Sequence, residues 1–300
     1  MFEKIIGNDR IKETLTHSAQ SNTASHSYLF VGTEGIGKKQ IAKEFAKMLL
    51  CLEKSENVYC NKCKSCIEFD TDNQPDFMQI EPDGASIKIE QIREMQRKVA
   101  EKPIISKRKV YIIDDSDKMT QEAQNCLLKT LEEPPEFVTI ILIATNENAL
   151  LNTVKSRCMI LHFEQIPDEE IQKYLNENFG TSIQSKTMLK TFQGSIGKAI
   201  SLKDKQEQYE TIENIIMGLE KKDELEVLKM TDFASNKDEI EDILDYCNSL
   251  FLELAKTAPK YTKCIQIVEN TKKRLKFNSN YDMSIDNMLL HFYAIANGKE

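Results

Sequence analysis

The chain has 300 residues, of which 40% are hydrophobic and 29% charged, with a formal net charge of −8. This length exceeds one hydrophobic core and predicts two or three domains. The acidic balance argues against a protein that coats nucleic acid through bulk electrostatics. No apolar run approaches the roughly 20 residues of a membrane span, and the first residues contain no apolar signal-peptide core, so a cytoplasmic protein is predicted.

Short apolar runs alternate with helical patterns up to about residue 163, which predicts βα units on a parallel sheet. The predicted strands are Ser27–Val31, Phe77–Ile80, Val110–Ile113, Thr139–Ala144 and Met159–Phe163. The predicted helices are Asn8–Ser18, Lys38–Leu50, Ile89–Glu101 and Gln121–Leu131. The last helix must end near Glu133 because Pro134 and Pro135 cannot continue it.

After Pro167 the strand pattern gives way to helical periodicity. We predict an α/β domain over residues 1–165, a small helical domain over 166–205 and an all-α domain over 206–300. Two helical faces in the last domain are apolar. They comprise Ile240, Ile243, Leu244, Cys247, Phe251 and Leu254, and then Ile285, Met288, Leu289, Phe292 and Ile295.

Four of the eight cysteines are clustered as Cys51-x8-Cys60-x2-Cys63-x2-Cys66. Four thiolates at this spacing in a cytoplasmic chain are typical of a tetrahedral structural zinc site with no open position. Free thiols, a redox pair or an iron–sulfur cluster are the alternatives. The other cysteines are singly placed among apolar neighbours and are interpreted as small buried hydrophobes.

The segment GTEGIGKK, residues 32–39, directly follows a predicted strand and opens a predicted helix. This is the context of a phosphate-binding loop, in which Gly32, Gly35 and Gly37 let the backbone approach phosphates and Lys38 reaches the outer ones. A hydrolysing loop places Ser or Thr next to hold Mg²⁺, whereas this chain has Lys39. ATP binding therefore stays open against a plain glycine turn, and efficient hydrolysis is not expected.

A second departure follows the strand Val110–Ile113, which ends in Asp114 and Asp115. Asp114 occupies the position that orients Mg²⁺ in P-loop ATPases. Asp115 is one methylene shorter than the glutamate that usually polarises the attacking water, and a misplacement of about 1 Å can cost on the order of 10²-fold in rate. The alternative is that both residues only end the strand.

With these residues in hand, the chain resembles the bacterial AAA+ clamp-loader family, and within it the δ′-type subunits. The resemblance covers most of residues 1–200 and includes HSYLF at 26–30, the cysteine cluster, LLKTLEEPP at 127–135 and SRC at 156–158. It implies an AAA+ P-loop-type domain with an inserted zinc module at 51–66, a helical lid and a helical collar.

The resemblance also implies roles for individual residues. Arg157 would be an arginine finger directed at ATP on a neighbouring subunit, where such fingers contribute roughly 10³–10⁵ in rate; the alternative is a surface ion pair. Thr145 and Asn146 resemble a sensor of the γ-phosphate. Lys198 resembles the second sensor, although it lacks the bidentate fork of the arginine often found there.

We therefore expect a δ′-type clamp-loader subunit that has little or no ATPase activity alone. The implied partners are the γ/τ and δ types of subunit, the β sliding clamp and, through the complex, primed DNA. An active γ/τ-like motor ATPase is one alternative. A zinc-bearing nucleic-acid module is another, in which Lys107, Arg108 and Lys109 would contact phosphate.

Overall fold

The structure is a computed structural model that describes residues 2, 5–53, 59–234, 236–277 and 279–299. The predicted zinc module at 51–66 includes residues 54–58, which lie outside the described residues. The ends of the predicted first and last domains, Met1 and Glu300, lie outside them as well.

Among the described residues, five strands form one parallel sheet, which confirms the predicted parallel arrangement, and their order is β2-β3-β4-β1-β5. The strands are β1 (Ser27–Val31), β2 (Phe77–Ile80), β3 (Lys109–Ile113), β4 (Val138–Ala144) and β5 (Met159–His162). β1 and β2 match the predicted bounds, and each of the others differs by one residue. Phe163 follows β5, but its N–H still donates to the Val31 carbonyl at 2.7 Å.

The central strands are buried along their whole length because helices cover a parallel sheet on its faces. Their sequences, SYLFV, KVYII and VTIILIA, are accordingly almost continuous apolar runs. Ile92 and Met95 from one helix and Leu127 and Leu131 from another pack in the same core cluster as inward-facing strand residues such as Ile140.

In the part of the first unit that the structure describes, six α-helices accompany the sheet. They are α1 (Asp9–Gln20), α2 (Lys38–Leu50), α3 (Lys64–Asp70), α4 (Ile89–Val99), α5 (Gln121–Glu132) and α6 (Asn152–Lys155). α4 ends at Val99, two residues before the predicted Glu101, and Ala100 is its C-cap. α5 begins where the Thr120 hydroxyl accepts the N–H of Ala123 at 3.2 Å.

The chain divides into two compact units. The first extends to Pro167 and includes Gly194–Gly197; the second comprises Asp168–Gln193 and the chain from Lys198 onward. The helices after the sheet are α7 (Asp168–Phe179), α8 (Lys186–Thr191), α9 (Ile196–Leu202), α10 (Gln206–Gly218), α11 (Glu224–Leu228), α12 (Ile240–Thr257), α13 (Thr262–Lys276) and α14 (Tyr281–Ala296). The predicted helical character after Pro167 is confirmed, whereas the division at residue 205 stays a prediction.

The second unit has its own apolar core. Ile243 and Phe251 on α12 and Met288 and Phe292 on α14 are each at most 2% exposed. The rings of Phe251 and Phe292 pack with their centres 4.6 Å apart. Within the described ranges, no helix combines the length and apolar character needed to cross a membrane.

Candidate functional site

The four clustered cysteines converge at the end of α2 and the start of α3. Cys51 follows α2, Cys63 caps α3 and Cys66 lies in its first turn. Their sulfur atoms, with that of Cys60, all lie within 4.8 Å of one another. All four thiols are free of disulfides, and Cys51, Cys63 and Cys66 are buried.

These distances fit a tetrahedral zinc ion. With zinc–sulfur bonds of about 2.3 Å, tetrahedral ligands lie about 3.8 Å apart. The Cys51 sulfur lies 3.7 Å from that of Cys60 and 4.0 Å from that of Cys63. The backbone N–H groups of Cys60 and Cys63 donate to cysteine sulfurs at 3.3 and 3.2 Å, as expected for an outer shell that supports thiolates.

The environments of the thiols differ. Burial raises the pKa of Cys51 and of Cys66. Burial also acts to raise the pKa of Cys63, but hydrogen bonds from backbone amides and from neighbouring thiols lower it to about 6. Four sulfurs in this arrangement suit a divalent cation that keeps all of them as thiolates.

A buried polar network joins the cysteine cluster to the sheet. Ser65, between Cys63 and Cys66, is 1% exposed. Its hydroxyl donates to the Leu50 carbonyl at 2.8 Å, accepts from the Gln74 amide at 2.6 Å and lies 2.9 Å from the Ser106 hydroxyl. The cluster is therefore fixed to the loop that precedes β3 as well as to α2.

The predicted phosphate loop lies between β1 and α2. Gly37 adopts a φ of 97°, which favours glycine, and a Cβ on Gly32 would lie 2.9 Å from the Cβ of Phe163. The Lys38 ammonium donates to the Gly32 carbonyl at 2.5 Å and to the Thr33 carbonyl at 2.7 Å. Lys38 is 6% exposed, and burial lowers its pKa.

Lys39 makes an ion-pair cluster at the carboxyl end of the sheet. Its ammonium lies 2.9 Å from a carboxylate oxygen of Asp114 and 2.5 Å from one of Glu81. Burial acts to lower the pKa of Lys39, but the hydrogen bonds to these two carboxylates raise it. The residue that departs from the hydrolysing loop therefore contacts the carboxylate predicted to orient Mg²⁺.

The other acidic residues after β3 make internal contacts. Asp115 adopts a left-handed φ of 48° and its carboxylate pairs with Lys118 at 2.8 Å. One oxygen of Asp117 accepts the N–H groups of Thr145 and Asn146 at 3.3 and 2.9 Å. The predicted sensor residues are thus joined through their backbone to the loop after β3.

Arg157 follows α6 and is 33% exposed at its side chain. One guanidinium nitrogen lies 2.7 Å from a carboxylate oxygen of Glu132, and the other terminal nitrogen donates to the Thr153 carbonyl at 2.8 Å. Among the described residues, its polar contacts are thus with α5, with α6 and with Ser156 rather than with the phosphate loop of its own chain.

The segment predicted as the second sensor divides between the two units. The N–H of Gly197 donates to the Gly35 carbonyl at 2.9 Å, which joins this glycine to the phosphate loop. Lys198 belongs to the second unit, where its ammonium pairs with Asp245 and lies 3.9 Å from Asp242. Its contribution to a nucleotide site stays a prediction.

Of the predicted basic triplet, Lys109 is the first residue of β3 and does not contribute to a cationic surface. Lys109 is 3% exposed, and its ammonium donates to the Lys98 carbonyl at 2.7 Å. The Arg108 guanidinium lies 3.3 Å from the Asn22 side-chain oxygen. At least one of the three cations is therefore buried and hydrogen-bonded within the protein, where it cannot contact a phosphate.

Sequence reasoning missed Glu81, Asp117 and Glu132. Glu81 directly follows β2, which is adjacent to β3 in the sheet. Since the carboxyl ends of parallel strands meet at one edge, this position could have been grouped with Asp114. Glu132 lies within the LLKTLEEPP segment, but its pairing with Arg157 joins the end of α5 to the turn after α6 and leaves no local pattern.

Comparison with known proteins places residues 7–167 in a family described as DNA polymerase III, delta subunit. The chain is similar to the tau/gamma subunit of DNA polymerase III from Haemophilus influenzae, with 36% identity over 68% of this chain and 30% of that protein. It is also similar to the delta′ subunit from Bacillus subtilis, with 34% identity over 69% of this chain and 62% of that protein. The matches thus span less than two thirds of either relative's length.

The fold is similar to the crystal structure of a gamma subunit-related protein of DNA polymerase III from Thermotoga maritima. The two structures share a TM-score of 0.55 over 95% of this chain and 99% of that one, at 18% sequence identity. At this identity the likeness concerns the fold alone.

Proposed function

This chain belongs to the family of DNA polymerase III delta subunits, and on that premise we propose that it is a δ′-type subunit of the replicative clamp loader. In this role it joins γ/τ-type and δ-type subunits in a ring that loads the β sliding clamp onto primed DNA. The α/β unit supplies an AAA+-type domain, residues 166–205 supply the helical lid and residues 206–300 supply the collar.

The ion pair of Lys39 with Asp114 is the observation that carries this proposal. In a hydrolysing P-loop site the residue after the lysine supplies a hydroxyl and the strand-end acid helps to orient Mg²⁺. Here an ammonium contacts the acid at 2.9 Å and also pairs with Glu81. A divalent cation would have to displace a lysine held by two carboxylates, so the chain alone is not an efficient ATPase.

Arg157 is proposed to act on ATP bound by a neighbouring subunit. Its side chain is partly exposed, and among the described residues its polar partners are Glu132, Thr153 and Ser156, none of which belongs to the phosphate loop. A guanidinium can stabilise the charge that develops on a transferring phosphoryl group. The chain would then affect ATP turnover in the ring without performing it at its own loop.

The cysteine cluster is proposed to hold one structural zinc ion through Cys51, Cys60, Cys63 and Cys66. Four sulfur ligands saturate the metal and leave no position for a reacting water. Metal analysis should give about one zinc per chain, and Cys63→Ser should raise hydrogen exchange in residues 59–70 while the sheet stays protected. Protein purified without chelator that carries no metal would contradict this assignment.

The functional test uses the purified chain and the loader assembled from all its subunits. The chain alone should show negligible ATP turnover. In the assembled loader, Arg157→Ala should lower clamp- and DNA-stimulated ATP turnover, and Arg157→Lys should restore little because an ammonium lacks the planar fork. Lys155→Ala, two residues away, is the matched control and should behave as wild type.

The outcomes separate the possible roles of Arg157. Unchanged turnover and clamp loading by Arg157→Ala at equal subunit occupancy would remove it from the mechanism. Loss of assembly would make it an interface residue. Multiple-turnover hydrolysis by the chain alone would instead favour an active γ/τ-like motor, the second candidate, for which the 36% identity to a tau/gamma subunit is the supporting observation.

A further inference from the structure

The guanidinium of Arg157 is already bound to an anion of its own chain. Glu132 contacts one terminal nitrogen at 2.7 Å, and the Thr153 carbonyl accepts from the other at 2.8 Å. Among the described residues, Glu132 is the one acidic residue whose carboxylate lies within ion-pair distance of Arg157. Both terminal nitrogens of the guanidinium therefore already have partners within the same chain.

Local structure explains why these partners meet. Glu132 is the last residue of α5, and the following prolines prevent its continuation. Thr153 lies in the short helix α6, whose last carbonyls have no partner within the helix. A cation beside such a helix end is favourable, and the Glu132 carboxylate adds a charge-assisted hydrogen bond.

The pair is also accessible. Glu132 is 49% exposed at its side chain and Arg157 is 33% exposed. An exposed ion pair in water is weak, so either partner can exchange it for another. A phosphate oxygen and a carboxylate oxygen compete for the same N–H donors of a guanidinium, and both cannot occupy one position.

We propose that Glu132 is a positioning residue that holds the fork of Arg157 until a phosphate of the neighbour's nucleotide replaces it. The inference rests on the proposed role of Arg157 in trans. In the assembled loader the carboxylate then rotates away as the guanidinium engages the phosphate. Glu132 thereby weakens engagement of the finger when the clamp and DNA have not yet arranged the neighbouring site.

The test compares Glu132→Gln with Glu133→Gln in the assembled loader. Both side chains are exposed and adjacent, but only Glu132 pairs with Arg157 among the described residues. Glu132→Gln should raise ATP turnover without clamp and DNA by about twofold to fivefold, the range expected from one exposed ion pair. Glu133→Gln should match wild type, and Glu132→Asp, which keeps the charge, should restore part of the restraint.

Two further readouts separate this role from a general structural effect. The increase should shrink as salt rises, because salt screens the ion pair that wild type retains. It should also vanish in the Arg157→Ala background, where there is no guanidinium to release. Thermal unfolding of each variant chain checks that the substitutions leave the fold intact.

Each outcome decides a specific question. If Arg157→Ala lowers stimulated turnover while Glu132→Gln leaves unstimulated turnover unchanged or lowers it, Glu132 does not restrain the finger and the inference is overturned. An equal increase from Glu133→Gln would overturn it as well, since the effect would then come from lost surface charge. If Arg157→Ala itself has no effect, the failure lies with the proposed function.

Discussion

Asp76 is expected to be essential to the stability of the α/β unit. It precedes β2, is 2% exposed and accepts three backbone N–H groups. The N–H groups of Ile104, Ile105 and Ser106 lie 2.7, 2.8 and 2.7 Å from its carboxylate oxygens. Asp76→Asn, which keeps the shape and removes the charge, should lower the free energy of unfolding by about 3 kcal/mol.

The magnitude follows from the acceptors that an amide lacks. With its nitrogen facing Ile104, the asparagine leaves that N–H without an acceptor, at a cost of about 1–3 kcal/mol. The bonds from Ile105 and Ser106 remain but become neutral, which weakens each by about 1 kcal/mol. Relief from burying a carboxylate offsets part of this loss, so the net change is about 2–4 kcal/mol.

Urea denaturation followed by circular dichroism measures the change, and hydrogen exchange locates it at residues 104–106. Asp83→Asn is the matched control, since its carboxylate is 77% exposed and should change stability by less than about 0.5 kcal/mol. An Asp76→Asn variant that stays within about 0.5 kcal/mol of wild type, or that keeps these amides protected, would refute the reasoning.

Two further predictions concern a glycine and a cysteine. Gly194→Ala should destabilise the first unit by about 2 kcal/mol or more, because φ is +71° and a Cβ would lie 2.4 Å from that of Gln165. Gly218→Ala, which meets nothing within 4 Å, should be neutral or slightly stabilising. Burial raises the pKa of Cys247 to about 12. The unfolded thiol, with its ordinary pKa near 9, ionises first, so stability should be full below pH 9 and fall between pH 9 and 12.

Thermal unfolding of the glycine variants, and unfolding of wild type and Cys247→Ala across that pH range, measure these effects. Equal stability of the Gly194 and Gly218 variants would contradict the steric argument. A Cys247→Ala variant whose alkaline decline is as steep as that of wild type would show that other groups cause it. The ionisation of Cys247 would then not account for the dependence of stability on pH.

The sheet could be predicted from the sequence because its strands are short apolar runs, of which the three central ones are buried along their whole length. β1 and β2 have the predicted bounds, and the helix α2 begins and ends as predicted. The cysteine cluster could be predicted in the same way, because the four cysteines lie close in sequence. Their sulfur atoms lie within 4.8 Å of one another. Local patterns are sufficient where the partners of an interaction are neighbours along the chain.

The polar contacts were not predictable in the same way. Lys39 meets Glu81 across 42 positions, and the Ile104 amide meets Asp76 across 28. Such pairs depend on the order of strands in the sheet, which hydrophobic periodicity does not determine. The sequence indicated that Lys39 replaces a metal-binding hydroxyl, but it could not show that the ammonium lies on Asp114.

The free-energy cost of leaving an internal partner to bind a phosphate differs between the lysines of the phosphate loop and Arg157. If Lys39 turned to a phosphate in its own loop, it would leave Asp114, only 17% exposed, without its closest cation. Lys38 would have to give up two loop carbonyls from a nearly buried position. Releasing Arg157 from Glu132 returns a half-exposed carboxylate to water, where solvation compensates most of the loss. This difference supports the proposal that Arg157 offers its guanidinium to a nucleotide of a neighbouring subunit.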